Sequence, residues 1–210
     1  SWVFAIALGI PMGVLAAVKR GTLWDYIGRG LAIVGQAAPP FVTALVAIWI
    51  FAVWLEWLPA GGRSPEFNWK EYILPCTALG WGAAASLMRL TRSSMLEVLD
   101  SEYIRLARAK GVNWNWVIYK HALRNALIVP VTSALLTFSG WLNGALVVEI
   151  VFSWPGIGYE ALYRAVNDND FPLLLGTVFI FILIYLVFAT IADIAYTIID
   201  PRVRLGDSSE

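Results

Sequence analysis

The sequence predicts an all-α, polytopic membrane protein, and three observations predict it. First, five stretches carry no Asp, Glu, Lys or Arg: 1–18, 30–55, 72–88, 125–148 and 171–192. Each meets or nearly meets the ~17 to 25 residues a helix needs to cross about 30 Å of hydrocarbon. Second, 59% of residues are hydrophobic, only 14% are charged and the mean hydropathy is +0.69, whereas soluble domains average about 25% charged residues. Third, the apolar runs are continuous rather than alternating over ~10 residues, which excludes a lipid-facing β-barrel. Five helical spans in one domain follow, over residues 1–199, with 200–210 as a polar tail.

The zero net charge conceals an asymmetry once the 15 Lys and Arg are sorted by loop. The loop at 89–124 holds seven of them, the first loop holds Lys19, Arg20 and Arg29, and the tail holds Arg202 and Arg204. Cytoplasmic loops collect Lys and Arg, so these three regions belong inside. The second loop, with Arg63 and Lys70, and the fourth, with Glu149, Glu160, Asp168 and Asp170 against Arg164, then lie outside. Five spans with the tail inside place Ser1 outside, and the sequence opens within an apolar run without a basic n-region, so an upstream span is expected before it. Cys76 is the only cysteine and forms no intrachain disulfide.

Taken in order, the first span has Gly9, Gly13 and Ala17 at a spacing of four, a small-residue face suited to close helix packing in lipid. A glycine hinge beside Pro11 is the alternative. The second span contains Gln36 and the Pro39-Pro40 pair, which removes two backbone donors. Either a helix starts after Pro40, or the break belongs to a transport route, because freed carbonyls in a membrane survive only beside protein or water. Trp49, Trp54 and Trp57 approach the outer interface, where indoles anchor. The third span is expected to start near Pro75; it carries Gly80, Gly82, Ala83, Ala84, Ala85 and Ser86, and runs past Arg89 and Arg92 towards Leu99.

The long polar segment at 89–124 organises the rest. Asp100 or Ser101 is placed to cap a helix over 102–110, in which Tyr103, Leu106, Ala107 and Lys110 share a face, and Gly111 sits where a left-handed residue closes a helix. Asn113 then caps a second short helix with Trp114, Val117, Ile118 and His121 on one face. An exposed Trp-Val-Ile face marks a docking surface, or packs on the protein's own helices, or floats in the headgroup layer.

The fourth span is the most polar, with Thr132, Ser133, Thr137, Ser139 and Asn143. It is the first choice for lining a polar route, although such side chains also bond back to their own helix. It leads into Glu149-Ile150-Val151-Phe152-Ser153-Trp154-Pro155-Gly156-Ile157-Gly158, whose turn at Trp154, Pro155 and Gly156 is a candidate outer gate. The fifth span is nearly unbroken apolar sequence, as expected for a lipid-facing helix, with Asp193 near its inner end and Asp200-Pro201-Arg202 ending it.

With these residues in place, the chain resembles the inner-membrane permease subunit of binding-protein-dependent ABC importers, in the dipeptide, oligopeptide and nickel branch. The motifs that carry the resemblance are Tyr103-Ile104-Arg105-Leu106-Ala107-Arg108-Ala109-Lys110-Gly111, His121-Ala122-Leu123-Arg124-Asn125-Ala126 and Phe152-Ser153-Trp154-Pro155-Gly156-Ile157-Gly158. The resemblance implies an ABC type-1 transmembrane fold with five spans present of an expected six, and identifies 89–124 as the EAA loop whose second helix fits a cleft on an ATP-hydrolysing subunit. Arg105-Leu106-Ala107 occupies the Glu-Ala-Ala slot, Gly111 is the loop glycine, and His121-Ala122-Leu123-Arg124 stands where the general pattern has Ile-x-Leu-Pro. The implied ATPase-coupling residues are Glu102, Arg105, Leu106, Ala107, Gly111, Trp114, Trp116, Val117, Ile118 and His121, and the route-lining candidates are Gln36, Thr132, Ser133, Thr137 and Asn143. The implied partners are a second, homologous permease, two ABC ATPase subunits, an extracytoplasmic solute-binding protein and membrane lipid, with no nucleic acid. The implied place is the cytoplasmic membrane of a bacterium or archaeon, with the C-terminus inside. ATP is used by the partner, and no cofactor or metal is expected on this chain.

Three rivals are weighed against this. A self-contained channel or secondary transporter usually carries ionisable residues at mid-membrane, and the five windows hold none. A membrane-embedded enzyme would need His-Glu-x-x-His or Gly-x-Ser-x-Gly, and the chain has neither and one His in all. Intrinsic ATP hydrolysis would need Gly-x4-Gly-Lys-Ser/Thr, which is also missing. The transported solute is not legible in these residues.

Overall fold

One helix serves as the post on which the others are mounted. In the computed structural model, which describes residues 1–138 and 141–199 except for the side chains of 142–144, 192, 193 and 195–199, α4 runs unbroken over Lys70–Leu99. Its partners are α1 (Trp2–Val18), α2 (Leu23–Ala37) and α3 (Pro40–Ala47, continuing as a wider π-helix over Ile48–Trp54). The helices of the 89–124 loop are α5 (Glu102–Ala109) and α6 (Trp114–Trp116), the latter continuing through a π-helical stretch, Val117–Ala122, into α7 (Leu123–Ala126). Then come α8 (Ile128–Phe138), α9 (Trp141–Val151), a π-helical stretch over Gly158–Tyr163, α10 (Arg164–Asn167) and α11 (Phe171–Ile199). No strand occurs among the described residues.

The small-residue face of α1 does what its spacing predicts. A Cβ on Gly9 would stand 2.6 Å from the Ala84 carbonyl oxygen, and one on Gly13 would stand 2.6 Å from that of Met88. Both glycines and both carbonyls recur at four residues, so the two helices meet backbone to backbone along one seam. Such contact is available only where side chains are absent, and it supplies dispersion energy where lipid offers no hydrophobic drive. Pro11 is exposed on the far side of α1.

Three small cores stack along α4. At one end Ala44, Leu74, Ala78, Val148 and Phe152 cluster, in the middle Ala5, Ala84, Leu87 and Ala134, and at the other end Ala17, Met95, Ile104, Val117, Ile118, Ala122 and Ala126. The last joins the loop helices to the ends of α1 and α4. Among described helices, Lys70–Leu99 and Phe171–Ile191 are long and apolar enough to cross a membrane individually, and the α2–α3 pair adds a third span if counted as one. Trp2–Val18 and Ile128–Phe138 are shorter apolar helices. α11 exposes large apolar side chains over much of its length, from Phe171 and Leu175 to Ile191 and Ile194, which suits contact with lipid.

The structure shows the break expected at Pro39 and Pro40 and corrects two other expectations. Within the window 30–55, α2, which begins at Leu23, ends at Ala37 and α3 leaves at 111°. Pro40 is the first residue of α3, as the helix-start reading has it. Pro75 is interior to α4 rather than at its start, because Asn68 opens the helix by accepting the Lys70 N–H on its side chain (3.2 Å) and the Glu71 N–H on its carbonyl (3.2 Å). The window 125–148 is interrupted by a turn at Leu127 between α7 and α8, while residues 139 and 140, between α8 and α9, lie outside the described residues. Ser139, the side chains of Asn143 and Asp193, and the tail with Asp200, Pro201, Arg202 and Arg204 lie outside the described residues.

Candidate functional site

The two loop helices are joined through a closed and capped turn. Ser101 is the N-cap of α5 by position, its hydroxyl turned to the Val98 carbonyl. At the C-terminal end the Gly111 N–H donates to the Arg108 carbonyl (2.9 Å) and the Val112 N–H to the Ala107 carbonyl (3.2 Å), the paired bonds of a Schellman closure. Gly111 has φ +78°, a left-handed conformation that a β-branched side chain resists. Two residues on, the Asn113 side chain accepts the Asn115 N–H at 2.9 Å and starts α6. The chain thus turns from one helix into the next with its end groups satisfied.

The Trp-Val-Ile face expected to be exposed is divided by the fold. Val117 is fully buried and Ile118 is 4% exposed, both packed on Met95 and Ile104. Burial of each contributes about 1.5–3 kcal/mol of transfer free energy, so these two seat the helix. Ile104, not Tyr103 or Leu106, is the buried anchor of α5, with Ala107 beside it in the same core. The signal was an i, i+3 pair, Ile104 and Ala107, hidden among basic residues. His121 is half-buried; its carbonyl accepts from the Asn125 side chain (3.3 Å), whose amide also donates to the Tyr103 hydroxyl (2.9 Å), so α5 and α7 are tied together.

What remains exposed is aromatic and basic. Trp114, Trp116 and Tyr119 are 40%, 58% and 67% exposed. Arg108 stands over the Trp114 ring at 4.9 Å and Lys120 over the Trp116 ring at 4.8 Å. Asn115, Trp116, Tyr119 and Lys120 line a shallow hollow of about 300 Å³. Glu102 and Arg105 pair at 2.7 Å on the exposed side of α5, beside exposed Leu106. Large amphipathic rings, cations and a hollow on a fixed body are the features of a protein-binding surface.

The route-lining candidates do not converge on one face. Gln36 is exposed and its amide donates to the Ala85 carbonyl at 3.3 Å, while Thr137 is exposed and bonds back to the Ser133 carbonyl at 2.8 Å. Ser133 is half-buried, and Thr132 is buried with its hydroxyl unpaired.

The candidate outer gate is a fastened turn. Glu149 belongs to α9 and not to the fourth loop, and its carboxylate accepts the Tyr159 N–H at 2.9 Å. Gly156 and Gly158 are packed directly on that carboxylate, where any Cβ would collide. The Phe152 carbonyl accepts the Gly62 N–H at 2.7 Å, and the Trp154 ring meets Tyr72 edge-on at 4.7 Å. The turn is held to the second loop, to α4 and to its own helix.

At the opposite end of the bundle is a feature the sequence did not signal. Asp25, 1% exposed, accepts from Arg92 at 2.7 and 3.1 Å and from the Gly21 N–H at 3.0 Å, with Arg29 at 3.3 Å. This ion pair fastens the start of α2 to α4 just before the loop helices. Among the described residues no group of three or more His, Cys, Asp or Glu is gathered to hold a metal ion.

Comparison with known proteins bears on this arrangement of helices. The family model described as "Binding-protein-dependent transport system inner membrane component" matches residues 9–205. The chain belongs to this family. Its relatives include the glutathione transport system permease protein GsiC of Salmonella typhimurium, 40% identical over 204 residues, and GsiC of Escherichia coli K12, 39% identical over 204 residues; each alignment covers 97% of this chain and 65% of the relative. A protein of Brucella suis named as a peptide permease is 39% identical over 208 residues, covering 96% of this chain and 65% of that one. The chain therefore spans about 65% of the length of these relatives. A crystal structure of an amino acid ABC transporter with histidines superposes with a TM-score of 0.66 at 14% identity, over 93% of this chain and 87% of the other. That likeness establishes the family's helical transmembrane fold in this chain, an integral membrane protein.

Proposed function

We propose that this chain is a membrane-spanning permease subunit of an ATP-binding-cassette importer, forming half of a translocation route for peptides or similar small solutes. The names of its relatives, peptide permease and glutathione transport permease, support that solute class. ATP hydrolysis belongs to two partner subunits, and the chain itself carries no catalytic residue. A second, homologous permease completes the route, and an extracytoplasmic solute-binding protein delivers solute to the outer loops. The charge distribution supports a cytoplasmic loop at 89–124 and a cytoplasmic C-terminus in a bacterial or archaeal cytoplasmic membrane.

The observation that carries this reading is the seating of the loop helices. α5 and the π-helical stretch that continues α6 are anchored through Ile104, Val117 and Ile118 onto the ends of α1 and α4, and Trp114, Trp116 and Tyr119 face outward. A displacement applied to that outer face moves the ends of two membrane helices instead of being absorbed in a flexible loop. Closure of the ATPase subunits on ATP would pull the two bodies together and rock the helices they carry.

The test is crosslinking in the assembled complex. Cysteines at Trp116 or Tyr119 should capture an ATPase subunit with nucleotide-dependent yield, whereas capture of no nucleotide-binding neighbour, or labelling of these positions from outside the cell, overturns the reading. Purified alone, the chain should hydrolyse no ATP; turnover that survives removal of every ATPase contaminant would return it to the enzymes.

A further inference from the structure

The break between α2 and α3 leaves backbone groups that hydrocarbon cannot satisfy. Pro39 and Pro40 have no N–H, so the carbonyls of Gly35 and Gln36 lack the donors that a continuing helix would supply. Most of the nearby donors are engaged elsewhere. The Ala38 N–H goes to Val34 at 3.1 Å, those of Val42 and Thr43 go to Pro39 at 3.0 and 3.2 Å, and the Thr43 hydroxyl goes to Pro40 at 2.8 Å and Ala78 at 3.4 Å.

The break also sits at bilayer depth. Residues 38–40 fall inside the charge-free stretch 30–55, and the Gly35 oxygen lies against Gly82, 3.5 Å from where a Cβ would stand, inside the stretch 72–88. Gly82 borders a cavity of about 180 Å³ together with Ala38, Pro40, Thr43, Ala83 and Trp141. Gln36, Ala37, Pro39 and Pro40 are exposed. Irregular backbone at this depth is tolerated beside protein or water and not beside lipid tails. Its polarity has a sign: the C-terminus of α2 carries partial negative charge, and Pro40 removes one of the donors at the start of α3 that would offset it.

We propose that this break is a carbonyl-lined station on the solute route, where the ammonium or amide N–H of a passing solute takes the place of the missing backbone donors. The proposal rests on the permease reading above and adds to it a site and a ligand chemistry. It also explains why Pro39 and Pro40 occupy a mid-membrane position that costs the chain two helical hydrogen bonds.

The test uses the full transporter complex in proteoliposomes, with Cys76→Ser and either Ala37→Cys or Ala38→Cys, read by the intact mass of this chain. The new thiol should react with a water-soluble trimethylammonium thiosulfonate. Relative to its sulfonate analogue, and after division by the same ratio on free cysteine, that reagent should be favoured about threefold by the partial charge of the helix end. Reaction only with a maleimide dissolved in the bilayer places the break against lipid, no reaction in any nucleotide state places it against a partner helix, and a ratio equal to that of free cysteine denies the carbonyl potential; each overturns the proposal. Pro39→Ala added to Ala38→Cys restores a donor for Gly35 while Pro40 still denies one to Gln36, so the preference should fall without vanishing, and an unchanged preference would assign it another origin and overturn the proposal. ATP hydrolysis is measured on the same vesicles without the cysteines: its absence sinks the permease reading while leaving the thiol chemistry interpretable.

Discussion

Asp25 is the only charged side chain buried among the described residues, and it shows what a single residue can hold together. Removing Arg92 leaves its carboxylate with the Gly21 N–H and the half-exposed Arg29. Breaking one side of a buried pair is costly, so Arg92→Met should destabilise the detergent-solubilised protein by about 3 kcal/mol, read as a lowered thermal midpoint by tryptophan fluorescence. An Asp25→Arg, Arg92→Asp exchange that restored the midpoint would confirm that pairing, not packing, is responsible. Gly13 offers a second test of similar size. A side chain there meets the Met88 carbonyl at 2.6 Å and the Thr91 Cβ at 2.7 Å, and backbone cannot yield as a side chain does. Gly13→Val should cost about 2–3 kcal/mol, whereas Gly30→Ala, with nothing within 4 Å, should be neutral or mildly stabilising in the same assay.

At the scale of the element, the loop helices depend on one left-handed residue. Nothing lies within 4 Å of a Cβ at Gly111, so substitution there carries a backbone cost alone. Gly111→Val should misalign α5 and α6 at about 1–2 kcal/mol and cut transport-coupled ATP hydrolysis in the reconstituted complex, while Gly111→Asn, which tolerates positive φ, should retain most of it. Unchanged coupling in the valine variant would separate this turn from function. At the other end of the bundle the fastened turn makes an equally local prediction. Glu149→Ala removes the acceptor of the Tyr159 N–H and the surface on which Gly156 and Gly158 rest, and should speed amide exchange at 156–159, whereas Glu149→Gln keeps an acceptor and should change exchange less. The helix ends were legible where capping chemistry is local, at Ser101, Gly111 and Asn113. Pro75 is a poor guide to the start of α4, which opens earlier, where Asn68 accepts the Lys70 and Glu71 N–H groups.

For the whole molecule, the charge-sorted loops set an orientation that labelling checks directly. In sealed vesicles of known sidedness, a cysteine at Lys110 should react with an impermeant reagent only from the cytoplasmic side, and one at Arg63 only from the opposite side. The reverse pattern would invert the account of which partners meet which loops. The faces left apolar in the described bundle, above all that of α11, suit contact with lipid.

The sequence by itself determined the membrane class, the approximate helix windows and the family, because these depend on composition, on the length of apolar runs and on short local motifs. Only the tertiary structure decided that Val117 and Ile118 seat the loop helices while Trp116 and Tyr119 face outward, that Asp25 clasps Arg92 across 67 residues, and that Glu149 fills the space left by two glycines. Each of those facts is a relation between distant segments. Helical periodicity gives the faces of one rod, but which face is buried depends on where the next rod lies.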